Sequence, residues 1–358
     1  MATRKILTVI GARPQFVKAA VVSRAIADHV SLEETILHTG QHFDTNMSAV
    51  FFDELGIPQP AYHLAIGGGS HGQNTGRMIE AIEATLMESR PDMVMVYGDT
   101  DSTLAGAIAA SKLNIPIAHV EAGLRSFNRR MPEEINRIVT DHVSDLLFAP
   151  SQTAVANLAH EGIAGIKVKL VGDVMFDAVN FFTSIAREKS SILKTLNVEP
   201  GNYVLVTLHR KENTDDATRL SEILTGLSTS DHPVILPLHP RTRRRIAEHA
   251  LAPSPQIRIV DPVGYLDMML LEAHARVIAT DSGGVQKEAY FHGVPCVTMR
   301  DETEWVELLE IGANRLTGAN ANKIAEAIAR PGVSPSVRSI YGDGTASLKI
   351  AEIIAGHG

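Results

Sequence analysis

The chain is predicted to be α/β, built from two Rossmann-like units with the active site in the cleft between them, and three observations lead there. Short apolar runs rich in Val and Ile alternate with amphipathic segments from one end to the other. The runs are apolar on successive residues, as strands covered by helices on both faces must be. The length, 358 residues, exceeds what one hydrophobic core usually supports, so two domains are expected. Such a β-α alternation builds parallel sheets with helices packed on each side.

Taken in order, the first strands are "KILTVI", "DMVMVY", "IPIAHV", "LLFAP" and "IKVKLV". Between them "TGRMIEAIEATLMES" and "STLAGAIAASKL" carry helical spacing. The series ends near "KVKLVGDVMFD", and a long helical pattern over roughly residues 175–195 leads into the second. There "YVLVTL", "PVILPL", "IRIV", "RVIAT" and "VPCVTM" read as strands and "DATRLSEILTGL" as a helix. An N-terminal unit over 1–173 and a C-terminal unit over 174–344 follow, with the amphipathic "TASLKIAEIIAG" within 345–358 expected to pack back on the first.

The formal net charge of −8 argues against sequence-independent nucleic-acid binding, though a local basic patch can still hold a small anion. Cys296 is the one cysteine, which rules out an intrachain disulfide and favours a reducing, cytoplasmic setting. No apolar stretch approaches the ~20 residues that a membrane helix requires, and the apolar run in "MATRKILTVIGARP" is too short for a signal peptide.

Ligands of open parallel sheets bind beyond the carboxyl ends of the strands. In the first half "GARPQFVK" follows the first strand, "GDTDST" the third and "EAGLR" the fourth. In the second half "HRKEN", "HPRT" and "DSGGVQKEA" occupy the same position after their strands. Ser282, Gly283 and Gly284 combine a hydroxyl, a backbone open to close approach and a helix start with free N–H groups, the makings of a phosphate site. An ordinary cap with a Gly-Gly turn would look the same. No Walker loop and no GxGxxG fingerprint is present.

Arg13 and Lys18 at the first turn, with His209 and Arg210 at the first turn of the second half, supply cations for a diphosphate. The run "RTRRR" (241–245) reads as a solvated helix face, with Arg241 the exception. Asp99, Glu121 and Glu133 stand at neighbouring strand or helix ends, where desolvated carboxylates can exchange protons near neutral pH. Singly, each has a structural explanation: Asp101 beside Asp99 can cap a helix, and Glu133 and Glu134 after Pro132 suit a helix start. Together, opposite a phosphate cradle, the acids point to proton transfer. No metal-ligand spacing occurs, so no metal is implied, and "GDTD" as a magnesium site is the weaker alternative.

Seven segments, in order, carry a resemblance: "GARPQFVK" (11–18), "TGQHFD" (39–44), "YGDTDSTLAGA" (97–107), "HVEAGLRS" (119–126), "PEEINR" (132–137), "HRKEN" (209–213) and "TDSGGVQKEA" (280–289). Over nearly its full length the chain resembles the non-hydrolysing UDP-N-acetylglucosamine 2-epimerase family. The resemblance implies a GT-B arrangement, a UDP-sugar substrate, no cofactor and a homodimer. It also implies conversion of UDP-GlcNAc to UDP-ManNAc by loss of UDP, a 2-acetamidoglucal intermediate and re-addition, in surface polysaccharide precursor synthesis.

On this resemblance Asp99, Glu121 and Glu133 match the acid/base carboxylates and His209 an essential histidine. Arg13, Lys18, Ser282, Gly283, Gly284 and Glu288 match phosphate or ribose positions, and Arg137 and Arg210 are expected to hold substrate or carboxylates in register. Two departures stand out. Gly72 occupies the place of an arginine with which many bacterial members bind a second, activating substrate, and Trp305 stands where many carry Arg-Pro. "GARPQFVKAA" and "TEWVEL" look most like the branch that epimerises UDP-2,3-diacetamido-2,3-dideoxyglucuronate; Arg129 and Arg130 are the candidate partners of its extra carboxylate, with a solvated loop the equal alternative for both. A GT-B glycosyltransferase and a UDP-sugar-binding module without chemistry are the readings from other classes.

Overall fold

A computed structural model describes residues 3–41, 55–332 and 340–357, so residues 42–44 of the "TGQHFD" segment lie outside the described part. The chain divides into two compact units, Met1–Ala178 with Arg338–Gly358, and Val179–Val337.

The first unit holds a seven-stranded sheet: β1 (Arg4–Ile10), β2 (Leu32–His38), β3 (Tyr62–His63), β4 (Met93–Tyr97), β5 (Ile117–Val120), β6 (Leu146–Ala149) and β7 (Val168–Leu170). Every pairing is parallel, in the order β3-β2-β1-β4-β5-β6-β7. Two strands carry little apolar signal. β2 opens with the polar "LEET", and β3 is two residues long. "GDTDST" and "EAGLR" therefore follow the fourth and fifth strands, not the third and fourth. The core packs Leu7, Val9, Val94 and Val96 against Met78, Ile82 and Leu86 of the helix His71–Ser89 and the alanines of the helix Asp101–Lys112. The alanine-rich helix lies close on the sheet. At Gly106 a Cβ would sit 3.0 Å from Val96 Cγ1 and 3.3 Å from Val9 Cβ.

The second unit holds six parallel strands: β8 (Val204–Thr207), β9 (Val234–Pro237), β10 (Ile257–Val260), β11 (Val277–Thr280), β12 (Cys296–Thr298) and β13 (Asn314–Leu316). Their order is β10-β9-β8-β11-β12-β13. Strand order reverses between β1 and β4 in the first sheet and between β8 and β11 in the second, and such switch points are where doubly wound sheets take ligands.

The division between the units falls within the helix Val174–Lys189, after Ala178, whereas the sequence places it ahead of that helix. The start of this helix is tied to the C-terminal segment. Asp173 N–H donates to the Tyr341 carbonyl at 2.9 Å, and Asp177 accepts from Ala346 N–H (3.1 Å), Ser347 N–H (2.8 Å) and Ser347 Oγ (2.5 Å). Asp177 thus caps the last helix, Ala346–Gly356, from another element. Gly172 and Gly342, both at positive φ, bring their backbones so close that a Cβ on either would lie 2.9 Å from the other segment. The last helix packs against Arg13–Ala27, and Arg4 Nη1 donates to the Ile354 carbonyl at 2.5 Å. Among the described residues no helix is long and apolar enough to cross a membrane.

Candidate active site

In the first unit the β1–β4 switch gathers charge. Directly after β1 comes Gly11, where a Cβ would strike Thr39 Oγ1 at 1.9 Å, so the turn must be glycine. Gln15 then fixes the turn: its Oε1 accepts from Gly11 N–H (2.8 Å) and Ala12 N–H (3.0 Å), and its Nε2 donates to the Tyr97 carbonyl (3.0 Å) at the end of β4. Arg13 is exposed at the first position of the helix that follows. Lys18, one turn further, is buried, and its Nζ meets Glu121 Oε1 at 2.5 Å. A Cβ on Gly98 would lie 3.3 Å from that ammonium and 3.5 Å from that carboxylate, which places the pair at the β4 end beside Asp99.

Glu121 follows β5 directly with φ 73°, a left-handed conformation unusual for a residue with a side chain. Both its N–H and that of Ala122 donate to the Phe148 carbonyl at 3.1 Å. Strained backbone of this kind persists where surrounding contacts enforce it, often at functional sites.

Arg137, on the helix Pro132–Val143, is buried and binds Asp99 Oδ2 through Nη2 and Glu134 Oε2 through Nη1 at 3.1 Å. Burial works against its charge, but Asp99, Glu134 and Glu121 outweigh this and raise it above the ordinary guanidinium value. Glu134 is not simply a helix-dipole residue. Its carboxylate accepts from Ser126 N–H (2.9 Å), Ser126 Oγ (3.0 Å) and Phe127 N–H (2.9 Å), which pins the loop before the helix. Glu133, its neighbour, is exposed and its side chain makes no hydrogen bond among the described residues. Asp101 does not cap its helix; Thr100 does, accepting from Thr103 N–H. Asp101 instead binds His71 Nδ1 (2.8 Å) and Asn136 Nδ2 (3.2 Å), and Asn136 also reaches the Asp99 carbonyl at 2.9 Å.

In the second unit the β8–β11 switch is organised by Asp281, which is fully buried. It accepts from His209 N–H (3.1 Å) and Arg210 N–H (2.9 Å) and stands 3.3 Å from His209 Nδ1, leaving the other ring nitrogen outward on an exposed imidazole. Asn213 bridges Asp281 (3.3 Å) and the Met299 carbonyl (2.8 Å). Ser282 precedes the helix Gly283–Phe291 and its hydroxyl does not cap it. At Gly284 a Cβ would find only Ser282 Oγ, at 4.0 Å. The Ser282 hydroxyl and the open backbone at Gly284 thus stand together at a helix N-terminus, where the dipole favours an anion, while at Gly283 a Cβ would lie 2.5 Å from Glu304 Oε1.

Behind them Trp305 Nε1 donates to the Gly283 carbonyl at 2.9 Å and Lys287 Nζ lies 4.3 Å over its ring, a close cation–π contact. Glu288 is buried, and burial pushes its carboxyl up to about 7, with the Lys287 ammonium pulling the other way. In the basic run 241–245 three arginines make ion pairs: Arg241 and Arg245 share Asp215 (2.6 and 3.0 Å) and Arg243 pairs with Asp261 (2.9 Å), while Thr242 is buried.

The family model described as UDP-N-acetylglucosamine 2-epimerase matches residues 24–355. The chain belongs to this family. The UDP-2,3-diacetamido-2,3-dideoxy-D-glucuronate 2-epimerase of Pseudomonas aeruginosa is 54% identical over 98% of this chain and 99% of its own. The UDP-N-acetylglucosamine 2-epimerase of Methanocaldococcus jannaschii is 45% identical over 90% of this chain and 91% of its own. A crystal structure of the M. jannaschii enzyme with UDP-GlcNAc and UDP superposes with a TM-score of 0.87, at 42% identity, covering 99% of this chain and all of that one.

For this 2-epimerase family member, sequence reasoning passed over Gln15, Glu134, Asn136, Asn213 and Asp281. All five lie inside quoted motifs, but their work is to hold backbone, and a buried hydrogen bond leaves no periodic trace in sequence.

Proposed function

We propose that the protein inverts the second sugar carbon of a UDP-linked 2-acetamido sugar, with Glu121, Asp99 and Glu133 handling the proton and the second unit holding UDP. The observation that carries this reading is the Lys18–Glu121 pair beside Asp99 and Arg137 at the β1–β4 switch. Carboxylates held in place by buried cations suit transfer of a proton at a chosen face. In the forward half-reaction the C2–H bond breaks and its electron pair forms the C1–C2 double bond. The C1–O bond breaks at the same time and its pair leaves with UDP. Re-addition reverses the flow with the proton delivered to the other face. Carbon and phosphorus keep their oxidation states, so the balance requires no redox partner.

Ser282 Oγ and the N–H groups at Gly283 and Gly284 are assigned to the diphosphate, whose departing charge they and Arg210 stabilise. Arg13 is assigned to the same phosphates and His209, braced by Asp281, to the leaving group. Glu288 is assigned to ribose hydroxyls. Arg137 keeps Asp99 and Glu134 in register.

For the sugar, we infer UDP-2,3-diacetamido-2,3-dideoxy-D-glucuronate, with UDP-GlcNAc as the second reading. The loop residues Arg129 and Arg130 are exposed and make no ion pair among the described residues, while Arg125 and Arg137 on either side are committed to carboxylates. A carboxylated sugar provides the anion these two lack. Incubation with each UDP-sugar in heavy water, followed by proton NMR, tests the reaction: deuterium should enter at C2 with inversion, fastest for the glucuronate. No exchange with any UDP-sugar would remove epimerisation and favour a glycosyltransferase. Arg129→Ala or Arg130→Ala should raise KM for the glucuronate and leave that for UDP-GlcNAc. Equal effects on both sugars would return UDP-GlcNAc to first place.

A further inference from the structure

Asp99 and Glu121 stand at the ends of different strands, and a buried network joins those ends from beneath. His119 on β5 has no exposed side-chain surface. Its Nε2 lies 2.8 Å from the carbonyl oxygen of Gly98, the residue before Asp99, and its Nδ1 lies 2.7 Å from Asp141 Oδ1. Each ring nitrogen thus has one oxygen partner, one on the backbone of the β4 end and one on the helix Pro132–Val143. The other Asp141 oxygen accepts from Gly123 N–H (3.0 Å), two residues past Glu121, and from Arg125 Nη1 (2.7 Å). Arg125 closes the network with a two-pronged grip on Glu161 at 2.8 and 2.7 Å.

Gly98 (φ 62°) and Glu121 (φ 73°) both sit in the left-handed region, so each strand end turns sharply where the network grips it. We infer that His119 and Asp141 are positioning residues for the epimerisation: they set the separation and orientation of Asp99 and Glu121 without touching substrate. The inference rests on the proton-transfer reading of those two carboxylates. A misplacement of about 1 Å at reacting groups can cost on the order of 10²-fold in rate. Asp141 serves both strand ends at once: one oxygen reaches β4 through His119 and the other holds the β5 turn directly. Burial alone would raise its carboxyl, but His119 and Arg125 outweigh burial and keep it below the ordinary value.

The test uses the full chain. Asp141→Asn and the pair His119→Phe and His119→Gln are compared with wild type for kcat, KM, UDP affinity by calorimetry and thermal midpoint. Positioning predicts kcat down by on the order of 10²-fold in Asp141→Asn, with UDP affinity within about threefold of wild type. His119→Gln, whose amide still donates a hydrogen bond, should recover part of the kcat that His119→Phe loses, at matched stability. Glu161→Gln, at the partly exposed end of the network, serves if the core variants fail to fold, and a severalfold fall in kcat with UDP affinity intact is expected. Folded variants with unchanged kcat, or with kcat and UDP affinity falling together, would overturn the inference alone. A wild type that exchanges no C2 hydrogen with any UDP-sugar would overturn the proposed function and take this inference with it.

Discussion

Glu272 is the residue least comfortable in its surroundings. It is fully buried, neither carboxylate oxygen has a hydrogen-bond partner among the described residues, and the nearest basic atom is His292 Nε2 at 3.7 Å. Burial, then the Glu288 charge, raise its carboxyl well above the ordinary value, and burial lowers the His292 imidazole to about 3. The folded value lies above the unfolded one, so the stability this group contributes is complete below the unfolded carboxylate value. It is lost progressively as pH rises towards the folded value. Glu272→Gln cannot ionise. Its thermal midpoint should therefore exceed that of wild type by a margin that grows from pH 4 to pH 8; a margin independent of pH would contradict this. At Glu121 the expected signature is kinetic. Glu121→Gln should lower kcat by ~10²–10⁴-fold with UDP affinity preserved, and a parallel loss of UDP affinity would make Glu121 a binding residue.

At the scale of elements, what distinguishes the strand–helix turn before Gly283–Phe291 is what it leaves undone. The helices His71–Ser89, Asp101–Lys112, Ala217–Ser228 and Ala321–Ala329 each start on a side-chain cap, whereas Ser282 keeps its hydroxyl off its own helix. Gly284→Ala should not disturb the fold, since its backbone is helical and its Cβ would meet no protein atom closer than 4.0 Å. Alanine is the better helix former by up to about 1 kcal/mol. The new methyl would fill the space assigned to phosphate. The expected result is an unchanged or raised thermal midpoint with UDP affinity at least about tenfold weaker, a cost of about 1.4 kcal/mol. Unchanged affinity by calorimetry would move the diphosphate elsewhere. The turn after β1 behaves differently. There Gln15 ties Gly11 and Ala12 to the end of β4, so its replacement would lower stability and activity together.

The whole chain returns on itself. Its last helix belongs with its first strands, and Ile350 and Ile354 of that helix are fully buried. Each such side chain contributes about 1.5–3 kcal/mol, and Ser347 adds a hydrogen bond to Asp177 at 2.5 Å. Ending the chain before Ala346 should therefore lower the midpoint of the first unit's thermal transition by several degrees or more. A calorimetric trace identical to that of the full chain would show that the helix is dispensable. The same closure explains why the boundary between units falls inside a helix: Asp173 and Asp177 are claimed by the C-terminal segment, while the rest of that helix continues into the second unit.

The sequence by itself determined the fold class, most strands, the helices that carry periodic apolar faces, and the family. Buried parallel strands and glycine-bearing turns leave local marks, and the motifs sit where each strand ends. It could not show β2 and β3 clearly, because a polar opening and a two-residue strand have no periodicity to read. Nor could it tell Glu134 from Glu133, adjacent and chemically alike, of which one turns inward to hold a loop and the other faces water. Tertiary structure alone decided that Lys18 pairs with Glu121, that Arg137 holds Asp99, and that Asp141 joins two strand ends through His119. Those partners lie between 22 and 103 residues apart. Local propensity carries no information about such pairs; only the packing of the sheet, and the cost of burying a charge alone, brings them together.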